Sequence, residues 1–164
     1  MVTRQQAEYF VSRFAAGWAA PHPHAWDDLF TADAIFEQPL LVSGQGLPLL
    51  QHEFAHLFSL LPDMTGRVVR WGLADDAVLI ELACSASVAG HPLSFVVVDR
   101  CVLNDDSLCT HRTTYMNPIP LAWALATRPR AWPRWWRSGV GPVLIRRRVV
   151  GVDERVDRPT TGRH

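Results

Sequence analysis

The chain has 164 residues, of which 48% are hydrophobic and 20% charged, a balance typical of one globular domain rather than a disordered chain. All 16 basic residues are arginines, which excludes chemistry that needs a lysine, such as Schiff-base catalysis and P-loop phosphate binding. No apolar stretch approaches the roughly 18 residues that cross a bilayer, and the N-terminus has no signal-peptide core. We therefore expect a cytoplasmic protein.

Charge is balanced overall but divided along the chain. Residues 1–108 hold 13 acidic residues and 5 arginines, whereas residues 109–164 hold 3 acidic residues and 11 arginines. We divide the sequence into a body over residues 1–118, a basic extension rich in tryptophan and proline over residues 119–150, and a tail over residues 151–164. The tail is polar and charged, and we predict that it is flexible.

Helices come first along the body. Thr3 and Gln6 form a capping-box pattern, and apolar residues at helical spacing after them predict an amphipathic helix that ends near Pro21. The elements predicted next are a short helical segment over residues 24–30, a strand over residues 34–38 and a second long helix over residues 48–61.

Strands follow the second long helix. Four are predicted, over residues 67–73, 77–88, 93–103 and 108–116. The breakers between them are short, which favours antiparallel hairpins. Helices at one end of the chain and strands at the other predict an α+β fold, with helices on the concave side of a curved, mostly antiparallel sheet.

The order of these elements resembles the nuclear-transport-factor-2-like cone, a superfamily that includes ketosteroid isomerase, limonene epoxide hydrolase and the SnoaL-like polyketide cyclases. Four stretches carry the resemblance: DDLFTADAIFEQP (27–39), the turn at Gly44–Gly46, LSFVVVDRCVL (93–103) and RTTYMNP (112–118). It covers about residues 5–118. The fold alone hosts many unrelated activities, so function has to be argued from the site.

The resemblance implies a pocket with an acid at its centre. Asp99 matches the acid that donates a hydrogen bond to the substrate oxygen in ketosteroid isomerase. The apolar strand before it also predicts desolvation, which favours a neutral, donating carboxyl group. The alternative is that Asp99 pairs with Arg100 or with a neighbouring backbone group. Gln38 matches the isomerase's base but cannot take a proton, so it could at most hold a catalytic water.

Other departures separate this chain from two of the family's reactions. Phe14 falls where the isomerase has its oxyanion tyrosine, so part of that oxyanion hole is missing. Thr114 falls where limonene epoxide hydrolase has one carboxylate of its pair, so epoxide hydrolysis is a remote alternative. We expect the aromatic walls of the pocket to be Phe14, Trp18, Trp26 and Phe95.

The last strand presents one of two faces to the pocket. Alternation sends either His111, Thr113 and Tyr115 or Arg112, Thr114 and Met116 inward. We favour the first set, because it keeps the aromatic Tyr115 inside and the arginine outside. His111 is then a candidate base beside Asp99, the alternative being a histidine bonded structurally in the sheet.

The second long helix carries a rival motif. Residues 52–56 read H-E-x-x-H, the pattern of zinc hydrolases, with His52, Glu53 and His56 as the reactive groups. The apolar stripe of this helix lies on the other side, so the histidines are predicted to face solvent. No third ligand follows in the sequence, and we predict no metal site.

The extension combines indole and guanidinium groups, most densely in residues 128–137 (RPRAWPRWWR). Three roles are open: it covers the cone mouth or a dimer face, it contacts anionic lipid through residues 121–137, or it binds single-stranded nucleic acid. We favour the first and expect no nucleic acid partner.

Two hypotheses for function follow. The first is an acid/base enzyme of the SnoaL-like cyclase or isomerase type, without a cofactor, that acts on a hydrophobic carbonyl compound through Asp99, His111 and Gln38. The second is a binding or interaction module of the same fold without catalysis. Relatives of this fold often pair through the open face of the sheet, so a homodimer is expected.

Overall fold

A computed structural model describes residues 2–140; the predicted tail and the last ten residues of the predicted extension lie outside this range. The described elements are α1 (Arg4–Ala19), β1 (Phe30–Glu37), β2 (Gly44–Gln45), α2 (Leu47–Leu60), β3 (Thr65–Ala74), β4 (Ala77–Val88), β5 (His91–Leu103), β6 (Cys109–Met116), α3 (Ile119–Ala126), a 3-10 turn (Pro129–Ala131) and α4 (Trp132–Ser138). Within the described residues, no helix is long and apolar enough to cross a bilayer.

All six described strands form one sheet in the order β2-β1-β6-β5-β4-β3. Every neighbouring pair is antiparallel except β1 and β6, which run parallel because the chain crosses over between them. The helices pack on this sheet around a single hydrophobic core. The predicted α+β architecture with a mostly antiparallel sheet is confirmed.

Helix α1 begins where the capping box predicts. The hydroxyl of Thr3 accepts the backbone N–H of Gln6 at 3.2 Å, and the Gln6 side chain accepts the backbone N–H of Thr3 at 2.9 Å. The apolar stripe of α1 is buried and packs against β3. The helix thereby forms one wall of the core, with its charged face in solvent.

The helical segment predicted over residues 24–30 is wrong. Residues 23–29 form consecutive turns, and β1 begins at Phe30, four residues earlier than predicted. The backbone N–H of Cys109 donates to the carbonyl of Leu29 at 2.8 Å, which ties this segment to the start of β6. Pairing with β6 therefore overrides the local helical pattern.

An aromatic cluster fills the core between the helices and the sheet. The ring centroids of Trp18 and Trp26 lie 4.8 Å apart, and those of Trp26 and Phe54 lie 5.0 Å apart. The indole N–H of Trp26 donates to the carbonyl of Phe14 at 3.1 Å, which fixes the ring against α1. These contacts lock α1, the turn segment and α2 together.

The described part of the extension is folded against the cone. Leu121 and Leu125 of α3 are buried in the same hydrophobic core as the cone's side chains. Helix α4 packs on α2, and Gly139 after it lies against the ring of His56. The division at residue 118 therefore remains a division of composition, while residues 119–140 complete the core.

Replacing Gly17 by alanine tests how tightly the aromatic cluster is packed. An added Cβ would lie 2.6 Å from Cε2 of Trp26, a ring that is buried and hydrogen-bonded and so cannot move aside. Overpacking of this kind costs about 1–3 kcal/mol. We expect Gly17→Ala to lower the free energy of unfolding by about that amount in urea titrations, although alanine favours helices.

Gly72→Ala is the matched control, since Gly72 is exposed and no atom lies within 4 Å of its Cβ position. We expect it to leave the stability unchanged or slightly raised. Equal losses of stability in the two variants would contradict the packing described here.

Candidate active site

Two adjacent strands bring the polar residues of the interior together. In the register of β5 and β6, Asp99 lies opposite Thr114 and Cys101 lies opposite Arg112. Residues directly opposite in an antiparallel pair point to the same side of the sheet. Since Asp99 and Cys101 are completely buried, Arg112 and Thr114 point into the interior with them.

Asp99 is held by two donors. Nη2 of Arg112 donates to Oδ2 of Asp99 at 2.9 Å, and the hydroxyl of Thr114 donates to Oδ1 at 2.6 Å. Both carboxyl oxygens therefore accept hydrogen bonds, which is the pattern of an ionised carboxylate. The neutral, donating carboxyl expected from the sequence is not what this geometry favours. The alternative partner, Arg100, pairs with Asp76 instead, and the arginine that binds Asp99 is Arg112.

Arg112 is a buried cation between two aromatic rings. Its guanidinium carbon lies 5.8 Å from the ring centre of Phe14 and 5.6 Å from that of Phe54. Burial by itself lowers the pKa of Arg112, but the attraction and hydrogen bond of the Asp99 carboxylate outweigh burial and hold that pKa above its ordinary value. The guanidinium is therefore always charged.

Most hydrogen-bond donors of Arg112 remain available. Of its five N–H groups, one donates to a described residue, Asp99, and Nε is buried without a partner there. The indole Nε1 of Trp18 is likewise buried and unpartnered among the described residues. Buried donors normally have acceptors, so these two groups mark a place where an acceptor is missing.

A cavity is lined by Trp18 and Arg112 among other residues, and we call it the Arg112 cavity. The space in which the centre of a water molecule can move measures about 50 Å³. Trp18 and Arg112 contribute to its wall together with Gln38, Phe95 and Thr114. The remaining wall is formed by Pro39, Leu40, Leu41, Phe54, Leu57, Leu61, Met64, Val97, Met116 and Leu121. The site is thus an apolar hollow with one cationic group.

Three residues predicted for the pocket lie in the wall of this cavity. Trp18 comes from α1, Phe95 from β5 and Gln38 from the end of β1. The backbone N–H of Gln38 donates to the hydroxyl of Ser43 at 3.0 Å, which closes the loop after β1. Asp99 itself is not among the described residues of the wall; it lies behind Arg112 and Thr114.

The predicted orientation of the last strand is wrong. Tyr115 is 55% exposed, and His111 lies on the same outer face with Nε2 3.2 Å from a carboxylate oxygen of Glu37. Burial of the charged Asp99 requires a counter-charge beside it, and the inward position of Arg112 supplies one. The rule that an aromatic residue points inward and an arginine outward fails here, and His111 cannot serve as a base in the cavity.

Two of the predicted wall residues belong to the core instead. Phe14 and Trp26 are buried, and neither lines the Arg112 cavity among the described residues. The ring of Phe14 lies against the guanidinium of Arg112, and Trp26 packs against Trp18. Both act on the site through the residues that they hold.

Arg112 and Thr114 are the polar residues that the sequence interpretation assigned to the wrong face. Their spacing of two residues on a strand is the pattern that places both on one side of the sheet. The buried Asp99 on the neighbouring strand needs a counter-charge, and this need could have identified the face of β6 that points inward. No comparable feature of the sequence indicates that residues of α3 and of the loop after β1 line the cavity.

The H-E-x-x-H motif has a structural function in the described residues. Polar atoms of His52, Glu53 and His56 lie within 4.8 Å of one another, close enough in principle for one cation. However, Oε2 of the buried Glu53 accepts the backbone N–H of Val42 at 2.9 Å, and Oε1 lies 3.8 Å from Nδ1 of His56. Glu53 thereby anchors the loop that carries Leu40 and Leu41 into the cavity wall.

The buried cysteines near the site are poor nucleophiles. Desolvation, assisted by the nearby Asp99 carboxylate, raises the pKa of Cys84 to about 12. The pKa of Cys101 is also raised, through its hydrogen bond with Cys109 and through burial. All three thiols are free, and the raised pKa values keep Cys84 and Cys101 protonated at neutral pH.

Replacing Asp99 by asparagine tests the buried ion pair. The variant keeps the shape of the side chain but leaves the Arg112 charge unpaired in the interior. Removing one partner of a buried pair costs about 3–5 kcal/mol. We expect Asp99→Asn to lower the free energy of unfolding by about that amount, measured by urea denaturation.

Asp76→Asn is the matched control. Asp76 pairs with Arg100 at 3.3 Å, but both side chains are partly exposed. An exposed pair contributes less than about 1 kcal/mol, so this variant should remain near the stability of the parent chain. A loss as small for Asp99→Asn as for Asp76→Asn would refute the ion pair's structural importance.

Solved structures share this fold at low sequence identity. A protein described as a SnoaL-like polyketide cyclase from Jannaschia sp. CCS1 is 13% identical, with a TM-score of 0.67 over 79% of this chain and 99% of that one. A ketosteroid isomerase-like protein from Catenulispora acidiphila, in complex with trimethylamine, is 19% identical, with a TM-score of 0.58 over 65% and 83%. TerC, co-crystallised with polyporic acid, is 12% identical, with a TM-score of 0.65 over 73% and 97%.

A family model agrees with the structural likeness. The model of the SnoaL-like domain matches residues 11–111, which run from the second half of α1 to the third residue of β6 and include Asp99. No curated protein matches the chain. The family match covers more than half of the sequence and confirms the resemblance drawn from its motifs. The chain belongs to the SnoaL-like domain family of the nuclear-transport-factor-2-like superfamily.

Proposed function

We propose that the chain is an acid/base enzyme of the cyclase or isomerase type that needs no cofactor. Its substrate is a hydrophobic small molecule with a neutral carbonyl group, bound in the Arg112 cavity. The observation that carries the proposal is a permanently charged, buried guanidinium with unused donors at the wall of an apolar hollow. The cytoplasmic location of the protein stays a prediction.

The net charge of the site favours a neutral substrate. Arg112 and the Asp99 carboxylate cancel each other, so the site as a whole carries no net charge. An anionic ligand would add an uncompensated charge in surroundings of low dielectric, which is costly. A carbonyl oxygen accepts hydrogen bonds from Arg112 and Trp18 without adding charge.

The same geometry can stabilise the product of proton removal. When a proton leaves the carbon next to the carbonyl group, negative charge develops on the carbonyl oxygen. Fixed donors aimed at such an oxygen lower the barrier, because they need no reorganisation. Arg112 is the group that supplies this stabilisation, in place of the tyrosine that Phe14 replaces.

Thr114 connects the cavity to the carboxylate. It lines the cavity, and its hydroxyl donates to Asp99. In the proposed step, the Thr114 oxygen takes the substrate proton while its own proton passes to Oδ1 of Asp99. The reverse transfer returns a proton to carbon after cyclisation or isomerisation, so the reaction is redox-neutral and consumes no co-reactant.

Relatives support binding of small molecules in this fold. One structural neighbour was obtained with trimethylamine and another with polyporic acid. The free volume of the Arg112 cavity is far below the roughly 300–1,000 Å³ of ligand pockets. Binding therefore requires side chains of the cavity wall to move.

Thr114→Val tests the proton path. Valine has the shape of threonine, leaves the Asp99–Arg112 pair in place and removes the hydroxyl. The probe is 2-acetonaphthone, whose methyl protons exchange for deuterium when the enolate forms, followed by ¹H NMR in D₂O. We expect the wild-type chain to catalyse this exchange, and Thr114→Val to slow it by about 10²-fold.

Thr113→Val is the control variant on the same strand. The Thr113 hydroxyl points to the other face of the sheet, where it donates to Glu37 at 2.8 Å, so its loss should leave the exchange rate unchanged. In the same assays, the matched anion 2-naphthoate should bind at least tenfold more weakly than 2-acetonaphthone. Equal effects of both threonine variants would overturn the proposed proton path.

A non-catalytic binding module is the second candidate. The observation in its favour is that Asp99, the carboxylate that Arg112 and Thr114 contact, is completely buried and already accepts two hydrogen bonds. Binding of 2-acetonaphthone by the wild-type chain without any exchange above the rate in buffer would select this candidate. Arg112 would then serve recognition alone.

We also propose that two copies pair through the outer face of the sheet. Val96 is 53% and Tyr115 is 55% exposed there, in diagonal positions of the neighbouring strands β5 and β6, and Leu79 on β4 is also exposed. Exposed large apolar side chains on a sheet face are typical of interfaces.

Val96→Arg tests this pairing. Placing a charge in the centre of the proposed interface should convert a dimer to a monomer in sedimentation experiments. Tyr9→Ala, an exposed position on helix α1, away from the outer face of the sheet, is the control and should leave the mass unchanged. A wild-type chain that sediments as a monomer at 100-fold varied concentration would eliminate the proposed dimer.

A further inference from the structure

Residues 119–137 present a surface that the proposed reaction does not use. These residues include four arginines and no acidic residue. None of these arginines forms an ion pair within the described residues. The arginines are Arg128, Arg130, Arg134 and Arg137. This surface is therefore a patch of uncompensated positive charge.

Large apolar side chains share this surface with the arginines. Trp123 is 70% exposed, Trp136 is 58% exposed and Ile119 is 67% exposed, with Trp132 less so. Trp132 and Trp136 lie four residues apart on α4 and so project from the same side of that helix. A helix that packs on a core normally buries such residues, but α4 instead buries Ser138 and half-buries Trp135.

The surface is held rigidly enough to act as a unit. The indole N–H of Trp132 donates to the carbonyl of Leu125 at 2.9 Å, which joins α4 to α3. Arg128 donates to the carbonyl of Ala124 at 3.1 Å and extends the end of α3. Burial of Leu121 and Leu125 fixes both helices to the cone, so the exposed side chains keep their relative positions.

We infer that this surface binds anionic phospholipid membranes peripherally. Exposed tryptophans prefer the headgroup level of a bilayer, where the ring is in contact with lipid and the N–H with water. Each arginine near an anionic leaflet contributes about 1 kcal/mol. Two helices with indoles and guanidinium groups side by side supply both contributions at once. The inference does not depend on the proposed enzymatic activity.

Charge complementarity selects the anionic membrane over other occupants. An acid-free patch with four arginines would repel a second copy of itself, and an apolar protein partner would leave the arginines uncompensated. The pKa of Asp63 is lowered chiefly by hydrogen bonding with Ser87, and only in small part by Arg134 of this patch. Single-stranded nucleic acid also offers phosphates, and the test therefore includes it.

The experiment is sedimentation of the full chain with vesicles of pure phosphatidylcholine or of phosphatidylcholine with 30% phosphatidylglycerol. We expect binding to the anionic vesicles at least tenfold stronger than to the neutral ones, and weaker binding at high salt. Tryptophan fluorescence should shift to shorter wavelength on binding. No binding to anionic vesicles at low salt would overturn the inference.

Paired variants assign the binding to this surface. Trp123→Ala with Trp136→Ala, and Arg134→Glu with Arg137→Glu, should each weaken binding at least tenfold. The exposed positions Tyr9→Ala and Arg67→Glu, on α1 and β3, are the matched controls and should leave it unchanged. Circular dichroism confirms folding of each variant.

Competition distinguishes lipid from nucleic acid. A 20-nucleotide oligo(dT) should displace little of the chain from anionic vesicles at equal phosphate concentration. Tight binding to oligo(dT) with loss of vesicle binding would replace the membrane by single-stranded nucleic acid as the partner. Control variants that weaken binding as much as the surface variants would also refute the assignment.

Discussion

The buried pair of Asp99 and Arg112 is the constraint on which the interior of this chain depends. Taking two charges out of water is expensive, and their attraction compensates only when the remaining polar atoms also find partners. The carboxylate meets this condition, since Thr114 and Arg112 occupy both of its oxygens. The guanidinium meets it in part, through Asp99 and the faces of Phe14 and Phe54. The donors of Arg112 that have no partner among the described residues are the groups that a bound substrate could use.

This pair also fixes which side of β6 faces the interior. Because the strand alternates, an inward Arg112 brings Thr114 inward with it and turns His111 and Tyr115 to the outer face. The outer face then holds apolar groups that a partner copy can cover, while the inner face holds the polar groups that a substrate can use. One electrostatic requirement thus separates the proposed catalytic surface from the proposed dimer surface.

Much of the fold could be predicted from the sequence, but less of the site. The capping box of Thr3, the period of α1 and the short breakers between strands are local features, and local features set element types. The facing of β6 was misjudged, because general preferences for arginine and tyrosine were applied without the register that pairs Asp99 with Thr114. Likewise, nothing local indicates that Glu53 caps the backbone of Val42 or that Leu121 of α3 lines the same cavity as Trp18 of α1.

Helix α3 contributes both to the wall of the Arg112 cavity and to the basic surface proposed to bind membranes. Leu121 lines the Arg112 cavity, and Trp123, two residues later, is among the most exposed side chains of the basic surface. The cavity has to enlarge before a substrate fits, and the side chain of Leu121 is part of the wall that confines it. A membrane that engages Trp123 therefore acts on the same helix that confines the cavity. A hydrophobic substrate dissolved in lipid would meet the chain at that helix, which connects the apolar character of the cavity with the composition of the surface beside it.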